Sequence, residues 1–500
     1  MDRSHFRTVD SISYLWEALD LPVQALTALH LPDVDAVGLP SSFKIGHLAQ
    51  TSIALTALLA ALIYTERQGK PDEAVPTVTV PLQHAVIEFK SERFFTVAGH
   101  RLPSPWGPIG GLHRTSDGYV RVHDSFPHHR AGAVRLLGCP EDADRDAVAE
   151  KIAKWRCVDL ENAAVDAGVV IAALRTYEQW DVLPQAQAIK DFPIQIRKIA
   201  DGAGAGAGGG GVTRWPEKMA HGNGTDKALC GLRVLEMSRV IAAPVAGRAL
   251  AAHGAEVLWV TSPTLPDQPS LDRDTARGKR TARLDLNHAS DMETLLSLLD
   301  DADVFLQGYR PGSLASRGLS CETLAARRRE NGNARGIICA NLSAYGPDGP
   351  WRARRGFDSL VQTCAGMNAS EAEHFLDEND TPAKPTPCQA LDHASGYFLA
   401  AGILAALYRQ AHEGGSYEVN VSLAGTMKYL RSLGQYARGS GFQQCKDYAT
   451  QGDVPEQFLE EHMSGFGPLR AVKHSASING VPVGWDIMPK PLGSDEARWL

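Results

Sequence analysis

Five hundred residues exceed what one ordinary hydrophobic core holds, so about two to four domains are expected. With 44% hydrophobic and 22% charged residues the chain has the proportions of a globular protein and not of a disordered one. The formal net charge of −8, with acids and bases interspersed, excludes the basic footprint of a nucleic-acid binder.

The first ten residues, MDRSHFRTVD, are polar and lack the apolar core of a signal peptide. The longest apolar run, 53–64, is too short to span a bilayer and predicts a buried helix. A short strand and a helix follow it at 78–89. The tract 201–211, DGAGAGAGGGG, buries no side-chain face and reads as a flexible linker. Beyond it the pattern turns α/β. Strands are expected at 232–237 (LRVLEM), 256–260 (EVLWV), 302–307 (ADVFLQ) and 336–343 (GIICANLS). A helix is expected at 244–253, with Pro244 in its first turn and Gly254 at its end. Strands alternating with helices predict a doubly wound parallel sheet.

The chain also repeats itself. LLAALIYTERQG (58–69) resembles ILAALYRQAHEG (403–414) at an offset of 345 residues, and each is followed by a short strand and a helix. Eight scattered cysteines, none spaced C-x-x-C, carry no zinc or redox motif and fit a reducing compartment. No metal site is expected, the C-terminus ARWL is not a peroxisomal address, and the protein reads as cytoplasmic by default. There is no G-x-G-x-x-G, so a nicotinamide cofactor is not indicated.

From Leu232 onward six segments, in order over roughly 200 residues, resemble the class III CoA-transferases, a family that includes formyl-CoA and carnitine CoA-transferases and α-methylacyl-CoA racemase. They are VLEMSRVIAAPVAGRALAAHGAEV (234–257), ARGKRTARLDL (276–286), ADVFLQGYRPGSLASRGL (302–319), ANLSAYGPDGP (340–350), RRGFDSLVQTCAGM (354–367) and ALDHASGYFLAAGILAALYR (390–409). In the first half, TSDGYVRVHDSFPHH (115–129) and 164–189 resemble the family's small domain, and KPLGSDEARWL (490–500) resembles its end. The resemblance implies two complementary partial copies: a partial repeat of the catalytic-helix region (1–100), a small-domain-like segment (101–200), the linker (201–226), a nucleotide-fold large domain (227–435) and a tail returning to the large domain (436–500). One site built from both halves would follow.

By the same resemblance Asp392 is the catalytic carboxylate. At a helix N-terminus it is expected to stay ionised at neutral pH; a plain N-cap is the competing reading. His47 occupies the matching position of the first copy and is expected to be structural. Val240 and Ala242, in the small-residue turn SRVIAAP, would line the adenine and pantetheine side of CoA. Arg277, Lys279 and Arg280 would meet its phosphates, although without the resemblance they read as a solvated turn. Tyr309 would stack on adenine beside Arg310, and Tyr345 would approach the thioester. Two departures stand out: the second strand runs into Trp259, Thr261, Ser262 and Pro263 instead of K-x-E-x-P, and Gly308 replaces an asparagine.

The implied activity is CoA transfer from an acyl-CoA to a carboxylic acid through aspartyl anhydride and aspartyl-CoA intermediates. CoA is then a substrate, and no permanently bound cofactor, nucleic acid or membrane partner is implied; a homodimer is compatible. The alternatives are a racemase-like isomerase and a noncatalytic acyl-CoA-binding protein. Racemases of the family carry a His in R-A-G-H-D, where this chain has Phe357, and a phenyl ring moves no proton.

Overall fold

The structure, a computed structural model, describes residues 1–69, 73–201, 215–220, 226–332, 335–375 and 381–500. The Gly/Ala-rich tract and most of the expected linker lie outside the described residues. Among the described residues a seven-stranded sheet is built from β1 (Gln195–Ala200), β2 (Arg233–Met237), β3 (Glu256–Thr261), β4 (Lys279–Arg283), β5 (Val304–Gln307), β6 (Ile338–Ser343) and β7 (Ser416–Ser422). The spatial order is β4-β3-β2-β5-β6-β7-β1, with every pair parallel except the last. Strands β2 to β7 thus wind outward in both directions from the β2/β5 junction, the arrangement of dinucleotide-binding sheets.

Alternation along the strands covers both faces. Val234, Val257, Val304 and Ile338 enter one core, while Leu235, Leu258, Phe305 and Cys339 enter another against the helices Ala289–Asp301 and Cys321–Glu330. The first core holds three helices: α1 (Ile45–Arg67), α2 (Ala242–Ala252) and α3 (Ala390–Glu413). α3 packs between α1 and α2 and against β6 and β7. Gly396 permits this closeness, because a Cβ there would meet the Ala242 carbonyl at 2.5 Å and Val245 at 2.7 Å.

α1 and α3 begin 345 residues apart, the offset of the repeat, and pack on each other, with Thr56 Oγ1 donating to the Tyr397 carbonyl at 2.9 Å. Both are longer than the apolar runs suggest, and each is long and apolar enough to cross a membrane. In the fold 94% and 100% of their apolar windows are buried, which makes them core helices here.

The first half contributes a three-stranded antiparallel sheet, Gly111–Arg114, Tyr119–Val122 and Ile171–Ala173, with its own core around Val120, Val134, Ile152 and Leu160. The C-terminal segment ties the halves together. Its hairpin Leu459–Ser464 and Gly467–Val472 pairs with Thr96–Val97, and Ser477–Ile478 pairs with Val78–Thr79. It then runs along the sheet edge, where the Asp495 N–H donates to the Thr281 carbonyl at 2.9 Å.

Candidate active site

Parallel strands leave a crevice at their carboxyl ends where the winding reverses. Here that crevice is a cavity of about 430 Å³ lined by Met237, Thr261, Gly308 and Leu342, each at or just past a strand end. The turn Ser238–Ile241 connects β2 to α2, and Val240 in it adopts φ +74°, a left-handed conformation that a β-branched side chain rarely takes. Such strain persists where the surroundings enforce it, typically at ligand sites. Val240 lines this cavity and a second one of about 560 Å³, whose wall comes mainly from the first half.

Asp392 lines both cavities from the first turn of α3 and is 6% exposed. It does not cap the helix. The N-terminal amides of α3 point instead at Asp358, whose Oδ2 accepts from the Leu391 N–H at 2.8 Å and the Asp392 N–H at 3.0 Å. Gln362 donates to the other oxygen of Asp358 and is held in turn by Asn368 Nδ2 at 2.9 Å. Glu92, from the first half, also faces the second cavity and is bonded to His393 Nε2 at 3.0 Å.

This geometry overturns the expectation that Asp392 stays ionised. Burial pushes its pKa well above the carboxylate range, and the negative charges of Asp358 and Glu92 push it further. The helix N-terminus, which was to stabilise the charge, is committed to Asp358. Burial raises Asp358 to about 6 against the opposing effect of those amides and Gln362. Burial also acts upward on Glu92, but His393 and Arg93 prevail and hold it below its usual value. The three carboxyls therefore divide: Glu92 is pushed toward its charged form, and Asp358 and Asp392 toward their protonated forms.

Four of the sequence-derived residues, Val240, Ala242, Tyr309 and Arg310, line the cavity at the strand ends together with Asp392. The basic trio does not, which corrects the expectation for the phosphates. Arg277 is buried against Asp274 Oδ1 at 2.5 Å and lies over the Trp485 ring. Lys279 is buried on Glu236 Oε1 at 2.9 Å and the Pro244 carbonyl at 2.7 Å. Arg280 fastens the tail through the carbonyls of Arg498 and Glu496. Buried cations need partners, and these found them inside the fold. Tyr345 also turns away: it is 4% exposed, packs edge-on to Trp351 and has its hydroxyl 3.8 Å from Cys364 Sγ. His47 is buried, with Nε2 2.7 Å from Ser11 Oγ, and lines neither cavity, as a structural histidine would.

The cations that do line the strand-end cavity are Arg239, Arg310, Arg317 and Arg355. Only Arg310 was singled out from sequence; the others lie outside the R-G-K-R segment that drew attention. His123 was missed too. It stacks on Phe357 with ring centroids 4.0 Å apart, and burial lowers its pKa to about 3.

The fold and cleft define an α/β protein with a ligand crevice at its winding reversal and a buried carboxylate at the crevice floor. Residues 229–451 match the model of CoA-transferase family III. An acyl-CoA transferase of Gibberella moniliformis is 30% identical over 328 residues, covering 62% of this chain and 54% of its own. The acetyl-coenzyme A transferase nodX of Hypoxylon pulicicidum is 35% identical over 224 residues, covering 44% and 37%. The crystal structure of Rv3272 from Mycobacterium tuberculosis superposes with a TM-score of 0.37 at 32% identity, covering 41% of this chain and 58% of that one. The chain spans about half the length of the curated relatives it matches.

Proposed function

We propose that the protein moves CoA from an acyl-CoA to a carboxylic acid, with Asp392 as the nucleophile. One observation carries this: the Asp392 carboxyl stands at the junction of an arginine-lined cavity at the strand ends and a second, more apolar cavity. The first suits a phosphorylated nucleotide and the second an acyl group. The eight free thiols fit the reducing cytoplasm, where we place the protein.

The ionised Asp392 attacks the thioester carbonyl, forming a mixed anhydride and expelling CoA thiolate. The thiolate attacks the aspartyl carbonyl, giving the aspartyl-CoA thioester and releasing the donor acid. The acceptor carboxylate attacks that thioester, forming a second anhydride and expelling the thiolate again. The thiolate then attacks the acceptor's acyl carbonyl, which yields the new acyl-CoA and returns Asp392 as carboxylate. No proton or electron is left over. Basicity raised by burial sharpens the nucleophile, at the expense of the fraction ionised.

A second base for α-proton exchange is poorly served. Phe357 fills the matching position, and the imidazole stacked on it, His123, is held neutral and very weakly basic.

The test is a transfer assay with acyl-CoA and a labelled acid. CoA should pass to the acid without exchange of the α-deuterium of the donor. The kcat/KM should climb with pH through an apparent pKa above the ordinary carboxylate value of about 3.9. Glu92→Gln removes a negative charge beside Asp392, so its profile should move to lower pH. Deuterium exchange without transfer, or an unshifted profile in Glu92→Gln, would count against the assignment.

A further inference from the structure

The second cavity has a character of its own. Its volume is about 560 Å³, and its walls include Phe95, Leu102, Pro105, Trp106, Leu271 and Phe357. Trp106 meets His123 edge-on at 4.9 Å, and His123 stacks on Phe357, so three rings form one continuous wall. Trp106 is 42% exposed on the irregular stretch after Val97, a large apolar ring left bare at the chamber wall.

We propose that this chamber selects the acid partner of the reaction: a bulky, largely apolar monocarboxylic acid, not a small dicarboxylic or hydroxy acid. This rests on the transferase reading above and names its substrate class. Size is the first ground. A dry cavity of about 150 Å³ holds benzene, so this one holds roughly twenty non-hydrogen atoms, far more than a two- to four-carbon acid supplies. A small acid would leave most of the wall in contact with water and gain little from burial.

Charge is the second ground. The acid's one carboxylate is consumed at Asp392, and any second carboxylate would lie in a chamber that already holds Glu92. Of the two arginines there, Arg93 is paired with Glu92 Oε1 at 3.4 Å and donates to the Pro387 carbonyl at 2.9 Å. Arg101 donates to the Arg93 carbonyl at 3.0 Å and is exposed.

The experiment measures binding of decanoate, 4-phenylbutyrate, succinate and oxalate to the full chain saturated with CoA, by calorimetry. The two bulky acids should bind at least about tenfold tighter than the two small ones, the scale of discrimination an apolar pocket achieves. Leu102→Asp, on a half-buried loop position, should erase that preference without changing CoA affinity; Trp106→Ala should weaken the bulky acids by several-fold. Equal or tighter binding of oxalate or succinate, or an unchanged preference in Leu102→Asp, overturns the proposal. Trapping of an acyl intermediate at Asp392 is scored separately. Bulky acids that bind without a trapped intermediate sink the transferase reading and leave the chamber assignment standing; a trapped intermediate with small acids preferred does the reverse.

Discussion

Asp392→Asn should lower transfer by about 10⁴-fold or more, the scale on which removal of a nucleophile acts. The amide is nearly isosteric, so the fold and both cavities stay in place, but its nitrogen and oxygen cannot form the anhydride. The same variant should be more stable than the parent. The folded-state pKa of Asp392 is raised by burial and by two neighbouring carboxyls, so the folded state holds this proton more tightly than the unfolded chain does. The parent therefore loses stability as pH rises from the unfolded carboxylate value through the folded one, and an amide escapes that loss. Melting curves should show Asp392→Asn ahead at about pH 8, with the gap closing toward about pH 4, below which both states are protonated. A variant that is inactive and less stable at every pH would mean that the carboxyl holds the fold instead of reacting.

Lys279→Met should destabilise the protein by about 3–5 kcal/mol, the cost of leaving one member of a buried ion pair alone. Lys279 and Glu236 are both fully buried, 2.8 Å apart at closest approach, between strands β4 and β2. Burial opposes both charges: it lowers Lys279 to about 8 and raises Glu236, and the pair survives because each partner offsets the other's desolvation. Replacing both by apolar residues, as in Glu236→Leu with Lys279→Met, should recover most of the loss. Thermal unfolding of the two variants measures this directly. If Lys279 instead gripped a CoA phosphate, the single variant would melt like the parent and show only a raised KM for CoA.

That contrast shows where sequence and structure part. The strands at 232–237, 256–260, 302–307 and 336–343 were legible because their apolar runs are buried on both faces. β4, KRTAR, carries no such run; ion pairs and the tail bury it, and neither is visible in local pattern. The antiparallel edge β1 escaped because its partner β7 lies more than 200 residues away, and the same holds for Thr96–Val97, which joins the hairpin Leu459–Ser464 with Gly467–Val472. The repeat was legible as an offset, and α1 and α3 keep it to the residue.

For the site, the position of Asp392 followed from the family resemblance, while its protonation did not. Helix placement suggested a stabilised charge, but the amides went to Asp358, 34 residues upstream. Glu92, Trp106 and His123 were silent in sequence because nothing local marks a first-half residue as facing a second-half carboxyl. The Glu92–His393 bond and the stack of Trp106 and His123 on Phe357 bring them there.

CoA transfer requires Asp392 to react with a thioester, and mass spectrometry of the trapped protein reads this most directly. The chain is mixed with an acyl-CoA, quenched with hydroxylamine and digested. A hydroxamate on the peptide bearing Asp392, absent from Asp392→Asn and from samples without acyl-CoA, is the predicted result. An unmodified Asp392 in protein that turns over acyl-CoA would contradict it.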